Sequence, residues 1–309
     1  MKSLAPLVLF VYNRPVHTLH LLQSLRNCRL SDQSKLFVFS DGPNADAPES
    51  EIKKINGVRE IVRSEQWCKE VQLVEKKFNA GLAGSIVNGV TEIVNQFEKI
   101  IVLEDDLVLS PGFLEYLNNA LDVFENESQV MHLSGYMFPV KTKLPELFFM
   151  NMTSVWGWAT WKRAWNHFNP SAEDLLMKLN ASGRLNEFTF NGRAPFYEHL
   201  LNNTNGKLDT WAIKWLTSVF LQHGFCLHPF PSLVRNDGND GSGTHGSESV
   251  FNEQEIAASI RVTKIPLIEN TEARKGLEQF YRKLRRKKNI IERIIDKLFA
   301  VIKLNRSYD

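Results

Sequence analysis

The first third of the chain alternates short apolar runs with longer stretches in which apolar residues recur at helical spacing. The continuous run at residues 7–11 predicts a strand covered on both faces, and further strands are predicted over residues 36–40, 71–75 and 100–103. The stretches between them predict helices over residues 14–27, 50–65 and 83–97. Strands separated by helices pair in parallel through right-handed crossovers, so the pattern predicts an α/β fold with a mostly parallel central sheet flanked by helices.

Polar residues follow each predicted strand at the point where the strand ends. They are Asn13-Arg14, Asp41-Gly42, Asn79-Ala80-Gly81 and Glu104-Asp105-Asp106. In sheets of this kind, ligands bind beyond the carboxyl ends of the strands. We therefore expect these four loops to line one edge of the sheet.

The rest of the chain is less regular. Residues 130–134 predict another strand, and residues 209–221 predict a helix that follows a polar loop. Residues 150–165 hold four of the seven tryptophans, and residues 236–249 form a Gly/Ser/Asn/Asp-rich loop that contains His245. Because no repeat and no Pro- or Ser-rich linker interrupts the chain, we expect one domain over residues 1–270.

Composition narrows the class of protein. Apolar residues make up 43% of the 309 positions and charged residues 23%, as in ordinary globular proteins. The apolar start at residues 4–12 is short and lacks a small-residue cleavage site, so it predicts a core strand in preference to a signal peptide. The three cysteines fit neither a disulfide framework nor a zinc pattern. These features predict a cytoplasmic protein.

Charge is distributed unevenly along the chain. Residues 274–309 carry 12 basic and 4 acidic side chains, whereas the rest of the chain carries 25 and 31. A basic run at residues 282–288 precedes an apolar stripe between Ile290 and Ile302, so we expect a basic amphipathic helical extension over residues 271–309. Contact with the inner face of a membrane ranks first for it, and packing on the body second. Nucleic acid ranks a distant third, because the body is acidic and lacks a nucleic-acid motif.

The three adjacent acids at residues 104–106 need a positive partner, because charge at the end of a buried strand is costly. A divalent cation shared with a diphosphate meets that need, since Mg²⁺ and Mn²⁺ take carboxylate and phosphate oxygens. The alternative is an acid cluster that favours a helix N-terminus. Three apolar residues, 107–109, separate the acids from the expected helix start at Ser110, and this favours the metal.

Several motifs together resemble a known family. They are VYNRP (residues 11–15), SDG (40–42), FNAGLAGS (78–85), VLEDD (102–106), WGWATWKRAW (156–165) and LDTW (208–211). Their order is similar to that in glycosyltransferases of the GT-A (nucleotide-diphospho-sugar transferase) fold, in particular the N-acetylglucosaminyltransferase I group and related bacterial sugar transferases. VLEDD, the end of the fourth predicted strand, is the most specific of the motifs.

The resemblance implies roles for most of the edge residues. Asp106 would coordinate Mn²⁺ or Mg²⁺, with Asp105 near the ribose and the waters of the metal and Glu104 as a neighbouring polar contact. The implied donor-binding residues are Asn13, Arg14, Asp41, Asn79 and Gly81. All of these except Asn13 have a simpler explanation: Arg14 as a solvated residue at a helix start, Asp41 as a turn former, and Asn79-Ala80-Gly81 as a bare turn.

Two more chemical roles follow from the resemblance. Asp209 would be the base that deprotonates the acceptor hydroxyl in an inverting transfer, although an Asp at this position also suits a helix N-cap. His245 would be an additional metal ligand or an exposed loop histidine. Trp158 and Trp211 are candidates for a wall against the sugar or acceptor, although tryptophans at this density usually pack in a core.

The sequence as a whole predicts a metal-dependent inverting glycosyltransferase. The expected donor is a nucleotide sugar, with UDP favoured, and the expected acceptor is a hydroxyl of a glycan or lipid-linked glycan in surface polysaccharide synthesis. A nucleotidyltransferase and a non-catalytic glycan-binding module on the same fold are the alternatives. The first lacks support because no Gly-rich triphosphate loop with Lys or Arg follows the first strand.

Overall fold

The computed structural model describes residues 3–238, 251 and 255–286. The strands within these residues are β1 (Leu7–Val11), β2 (Lys35–Ser40), β3 (Glu70–Glu75), β4 (Lys99–Glu104), β5 (Leu107–Leu109), β6 (Val130–Ser134), β7 (Leu147–Met150), β8 (Trp158–Trp161), β9 (Phe225–Pro229) and β10 (Val234–Asn236). The helices are α1 (Pro15–Arg26), α2 (Glu49–Ser64), α3 (Leu82–Phe97), α4 (Phe113–Val123), α5 (Lys162–Trp165), α6 (Ala172–Ala181), α7 (Leu185–Phe188), α8 (Phe196–Thr204) and α9 (Trp211–Leu221). Residues 271–286 are also helical.

Eight of the described strands form one sheet in the order β3-β2-β1-β4-β8-β6-β9-β7. The four strands at the β3 end are all parallel, whereas β8 is antiparallel to both β4 and β6. From β1 the chain proceeds to β2 and β3 on one side, and β4 then returns to pair with the other side of β1. The direction of winding therefore reverses between β1 and β4, which creates a switch point at their carboxyl ends.

The predicted elements of the parallel half are confirmed, with ends that differ by about one residue. The apolar runs of β1, β2 and β4 are continuous because both faces of the sheet are covered there, whereas β3, at the edge of the sheet, has only exposed and half-buried residues. On β1, Leu7 and Leu9 pack into a core beneath α1, α2 and α4, while Val8 and Phe10 pack into a second core beneath α3 and α9. Full burial of such a side chain contributes roughly 1.5–3 kcal/mol, so this pattern fixes the strand register.

The apolar segment between the acids and the expected helix start at Ser110 is itself a strand. Residues 107–109 form β5, which pairs antiparallel with β10 in a separate two-stranded ribbon. Helix α4 begins only at Phe113. The ribbon brings the segment that follows β10 back against the end of β4.

Residues 271–286 pack on the body of the protein. Ala273, Leu277, Phe280 and Tyr281 are buried in a third apolar cluster with α6, α8 and β7. Packing on the body, the second-ranked alternative, thus holds for this part of the extension. The apolar stripe from Ile290 to Ile302 lies outside the described residues, so membrane contact through it stays a prediction.

No helix in the described part of the chain combines the length and the apolar character that crossing a membrane requires.

Candidate functional site

The switch point brings Arg14, which follows β1, against the acids that follow β4. Its Nη1 atom lies 3.5 Å from Oδ1 of Asp105 and 3.2 Å from Oδ2 of Asp106. The three side chains are between 13% and 22% exposed, so water screens these ion pairs only in part. Two loops that the sequence placed at one edge therefore meet in direct contact.

The ribbon of β5 and β10 closes the other side of Asp106. The side-chain Nδ2 of Asn236 donates to Asp106 Oδ1 at 3.0 Å, and the amide of Asp237 donates to the Asp106 carbonyl at 2.8 Å. The amide of Gly238 in turn donates to Asn236 Oδ1 at 2.9 Å. A Cβ at position 238 would lie only 2.3 Å from Asp106 Oδ2, so glycine is needed for this close approach.

The pKa values of two of the three acids are raised. Burial, followed by the charges of Asp106 and Asp105, raises the pKa of Glu104 to about 8. Burial and the charge of Asp106 raise the pKa of Asp105 to about 7, although Arg14 acts against this shift. Burial is the larger cause of both shifts, and the negative charge of neighbouring acids adds to it.

A second cluster joins the ends of β2 and β3. Buried Asp41 accepts hydrogen bonds from the amides of Gly42 and Ala80, at 2.9 and 3.0 Å, and from the hydroxyl of Ser85 at 3.2 Å. These contacts tie the β2 loop to the start of α3. The carboxylate of Asp41 therefore has a structural role at this junction.

The Asn79-Ala80-Gly81 loop is an ordered turn. Asn79 Nδ2 donates to the Gly42 carbonyl at 3.1 Å, and its Oδ1 accepts from the Gly81 amide at 2.8 Å. Gly81 stands at the N-cap of α3 with φ of +74°, which favours glycine. Nearby, the Tyr12 hydroxyl donates to Glu51 of α2, and burial raises the Tyr12 pKa to about 12. Asn13 is half-buried between Tyr12 and the switch point.

Asp209 lies in the loop before α9 and does not cap it. Its carboxylate is 76% exposed and accepts from Lys214 Nζ at 3.2 Å, while Thr210 occupies the N-cap position. Trp211 stacks on Trp158, with 5.3 Å between ring centroids, and Trp158 pairs with Val102 of β4. Asp209 thus precedes a helix whose start packs near the carboxyl end of β4.

Both candidate wall tryptophans are core residues in this structure. Trp158 is 0% and Trp211 3% exposed, and both pack with Trp215 and Val90 in the cluster beneath α3 and α9. Their role as a wall for a sugar stays a prediction. His245 falls outside the described residues.

Sequence reasoning missed the residues on the ribbon. Asn236 and Gly238 contact Asp106 or its immediate partner, although about 130 positions separate them from it along the chain. The available signal was the Asn236-Asp237-Gly238 turn, which Arg235 separates from the apolar pair Leu233-Val234. Its partner could not be read from the pattern, since nothing local indicates that β10 pairs with β5.

The donor atoms at the edge suit a hard divalent cation. Carboxylate oxygens are what Mg²⁺ and Mn²⁺ prefer, and Glu104, Asp105 and Asp106 supply them from three consecutive positions. Within the described residues, no group of three or more His, Cys, Asp and Glu side chains could hold a metal ion. Mg²⁺ commonly keeps waters and shares its shell with substrate phosphates.

Neither a protein-family model nor a curated protein matches this chain. Among solved structures, the chain is similar to mannosyltransferase PcManGT from Pyrobaculum calidifontis in complex with GDP-Man and Mn²⁺, with 13% identity and a TM-score of 0.37 over 58% of this chain and 47% of that one. It is also similar to TarS of S. aureus, with 13% identity and a TM-score of 0.29 over 46% of this chain and 23% of that one. The chain thus spans about half and about a quarter of these two proteins. At this low similarity, the chemistry has to follow from the residues themselves.

Proposed function

We propose that this protein is a metal-dependent glycosyltransferase of the GT-A type that takes its sugar from a nucleotide sugar. The observation that carries the proposal is the contact of Arg14 with the carboxylates of Asp105 and Asp106 at the switch point of the sheet. A cation and two anions at that place suit a ligand with a diphosphate and a divalent metal. The motif order from VYNRP to LDTW supports the same function.

Asp106 is the proposed metal-holding residue, with Asp105 and Glu104 beside it. A bound Mn²⁺ or Mg²⁺ would neutralise the charge that develops on the leaving diphosphate. The hydrogen bond from Asn236 fixes the orientation of the Asp106 carboxylate before any ligand arrives, which lowers the cost of assembling the site. His245 remains a proposed further ligand.

The donor would lie along the loops that end β1, β2 and β3. Arg14 can bind phosphate or base oxygens through its planar guanidinium. The proposed donor-binding residues otherwise are Asn13, Asp41, Asn79 and Gly81. A UDP-linked hexose or N-acetylhexosamine is the proposed donor.

Asp209 is the proposed base for an inverting transfer. Its exposed carboxylate is accessible to an acceptor hydroxyl, and Lys214 holds it in place. The proposed acceptor is a glycan or a lipid-linked glycan, and contact of the basic extension with the membrane would bring the site to a lipid-linked substrate.

The test is a nucleotide-sugar screen on the full chain. Wild type and Asp106→Asn are titrated with UDP- and GDP-sugars in Mn²⁺ and in EDTA, and the released nucleotide is identified. We expect metal-dependent binding of one donor, release of a nucleoside diphosphate, and a loss of at least about tenfold in affinity in Asp106→Asn.

Asp32→Asn is the matched control, because it removes an exposed carboxylate before β2, at the opposite edge of the sheet. It should behave as wild type. Release of pyrophosphate from a nucleoside triphosphate would favour the nucleotidyltransferase instead. Glycan binding with no nucleotide binding by the folded protein would favour the glycan-binding module.

A further inference from the structure

Helix α2 sends one side chain, Arg59, to the point where β2 and β3 stop pairing. The last paired residues of the two strands are Ser40 and Glu75, and the amide of Lys76 donates to the Ser40 carbonyl at 2.9 Å. Beyond this bond the two chains turn into separate loops. The next carbonyl on each chain belongs to Asp41 on one side and to Lys76 on the other.

The guanidinium of Arg59 joins the two chains just past their last paired residues. Its Nη2 atom donates to the carbonyls of Asp41 and Lys76 at 3.3 and 2.9 Å, and its Nε atom donates to Ser40 Oγ at 3.1 Å. Its Nη1 atom lies 3.3 Å from Glu75 Oε2, and the side chain of Arg59 is only 15% exposed. One side chain thus binds four groups on two strands, which the five N–H donors of a planar guanidinium allow and the ammonium of lysine does not.

The two loops above Arg59 pack tightly against each other. A Cβ at Gly42 would lie 2.5 Å from the amide nitrogen of Phe78, and the amide of Asn79 donates to the Pro43 carbonyl at 3.1 Å. A shift at the base of one loop would therefore move the other loop as well. The proposed donor-binding residues on both loops would shift with them.

These loops and the acids lie at different strands of the sheet. In the order β3-β2-β1-β4, the end of β2 is two strand spacings, about 10 Å, from the end of β4. A diphosphate held with a metal at the acids would extend its nucleoside toward β2 and β3, because the loops there carry proposed donor-binding residues. Different parts of the donor would thus meet different strands.

Resting on the proposed function, we infer that Arg59 is a positioning residue for the nucleoside part of the donor. It acts through the main chain of Asp41 and Lys76, and it fixes both loops before the nucleotide arrives. Loops that are already ordered lose less conformational entropy on binding, so Arg59 contributes to nucleotide affinity. It does not contribute to the affinity for pyrophosphate with a metal, because pyrophosphate has no nucleoside.

The test is calorimetric titration of UDP, GDP and inorganic pyrophosphate into the full chain in Mn²⁺. Arg59→Gln should weaken binding of the preferred nucleotide by about tenfold or more and leave the pyrophosphate affinity within about twofold of wild type. Arg59→Lys keeps a positive charge beside Glu75 but cannot bind all four groups, so it should lose about fivefold or more in nucleotide affinity. Circular dichroism checks that each variant is folded, and Arg59→Lys carries the test if Arg59→Gln does not fold.

Arg63→Gln is the matched control for loss of one arginine from the same helix. Arg63 lies about one turn after Arg59 and donates to the carboxylate of Glu75 from a side chain that is 56% exposed. Because an exposed ion pair contributes little, this variant should leave both affinities within about twofold of wild type.

Three results would overturn the inference for different reasons. Equal losses of nucleotide and pyrophosphate affinity in the Arg59 variants would show that Arg59 supports the fold as a whole. Nucleotide affinity at the wild-type level in folded Arg59→Lys would show that the bridge between the two loops is not needed. Absence of nucleotide binding from wild type in Mn²⁺, by contrast, would remove the proposed function itself, and the role of Arg59 with it.

Discussion

A single hydrogen atom in place of a side chain determines the geometry at position 238. Alanine there would put its Cβ 2.3 Å from Asp106 Oδ2, closer than real Cβ contacts allow, so the carboxylate or the ribbon has to move. We expect Gly238→Ala to weaken Mn²⁺ binding in the presence of nucleotide by about tenfold or more, measured by calorimetry.

Gly57→Ala offers a comparison for the same change of residue. Its Cβ would meet only the Pro15 Cβ at 3.9 Å, and Gly57 lies inside α2. Replacement of a helical glycine by alanine stabilises a helix by roughly 0.5–1 kcal/mol, so this variant should bind metal as wild type does. Equal metal binding by the two variants would show that the ribbon yields easily and that Gly238 has no special place in the site.

Among the elements, the junction of β2 with α3 depends on one carboxylate. Asp41→Ala leaves the buried amide of Gly42 and the partly buried amide of Ala80 without their acceptor, and this should lower the free energy of unfolding by about 1–3 kcal/mol in urea titrations. Asp41→Asn keeps one acceptor oxygen and should lower the free energy of unfolding by less than Asp41→Ala does.

Asp46→Ala serves as the reference for this junction. Asp46 is exposed in the loop that follows Asp41, so its removal should change stability by less than about 0.5 kcal/mol. If Asp41→Ala were as stable as Asp46→Ala, the carboxylate would not hold the junction, and a role in ligand binding alone would explain its presence.

Elements were predictable from sequence where both faces of a strand are covered. The runs that became β1, β2 and β4 are apolar throughout because α1, α2 and α4 cover one face and α3 covers the other. Strands β7 and β8 were not predicted, since each has four residues and its pairing depends on distant partners. The sequence placed Arg14 near the acids because both follow parallel strands, whose carboxyl ends lie at one edge of the sheet. The hydrogen bond from Asn236 to Asp106 could not be predicted in this way, because it depends on the pairing of β5 with β10.

At the scale of the whole molecule, two buried histidines make stability depend on pH. Burial lowers the pKa of His132 to about 3 and that of His228 to about 4. His132 Nδ1 accepts from Trp215 Nε1 at 3.1 Å, so a proton there would break a buried hydrogen bond. Because an unfolded histidine titrates near 6.5, this contribution is present above that pH and is lost below it, by at most about 1.4 kcal/mol per pH unit for each ring.

When no metal is bound, Glu104 and Asp105 make the protein more stable as the pH falls, which is opposite to the effect of the two histidines. Their folded pKa values, about 8 and about 7, exceed their ordinary values, so the folded state binds more protons as the pH falls through that window. We expect the free energy of unfolding of wild type in EDTA to change little between about pH 6.5 and 5, because the two effects oppose each other.

The variant Glu104→Gln separates these contributions. Without the Glu104 carboxyl, urea titrations should show a steeper loss of stability below about pH 6.5 and a smaller loss as the pH rises to about 8. Identical pH profiles for the variant and wild type would mean that Glu104 is ionised in the folded protein at neutral pH.

The order in which the site can be assembled follows from the separation of its parts along the chain. Asn236 and Asp106 are 130 residues apart, and Arg14 and Gly238 are 224 apart. At a synthesis rate of about 5–20 residues per second, the end of β4 leaves the ribosome roughly 7–26 s before the residues that close over it. During that interval the acids face water with Arg14 as their partner, so a growing chain can complete its parallel strands long before it can hold a ligand.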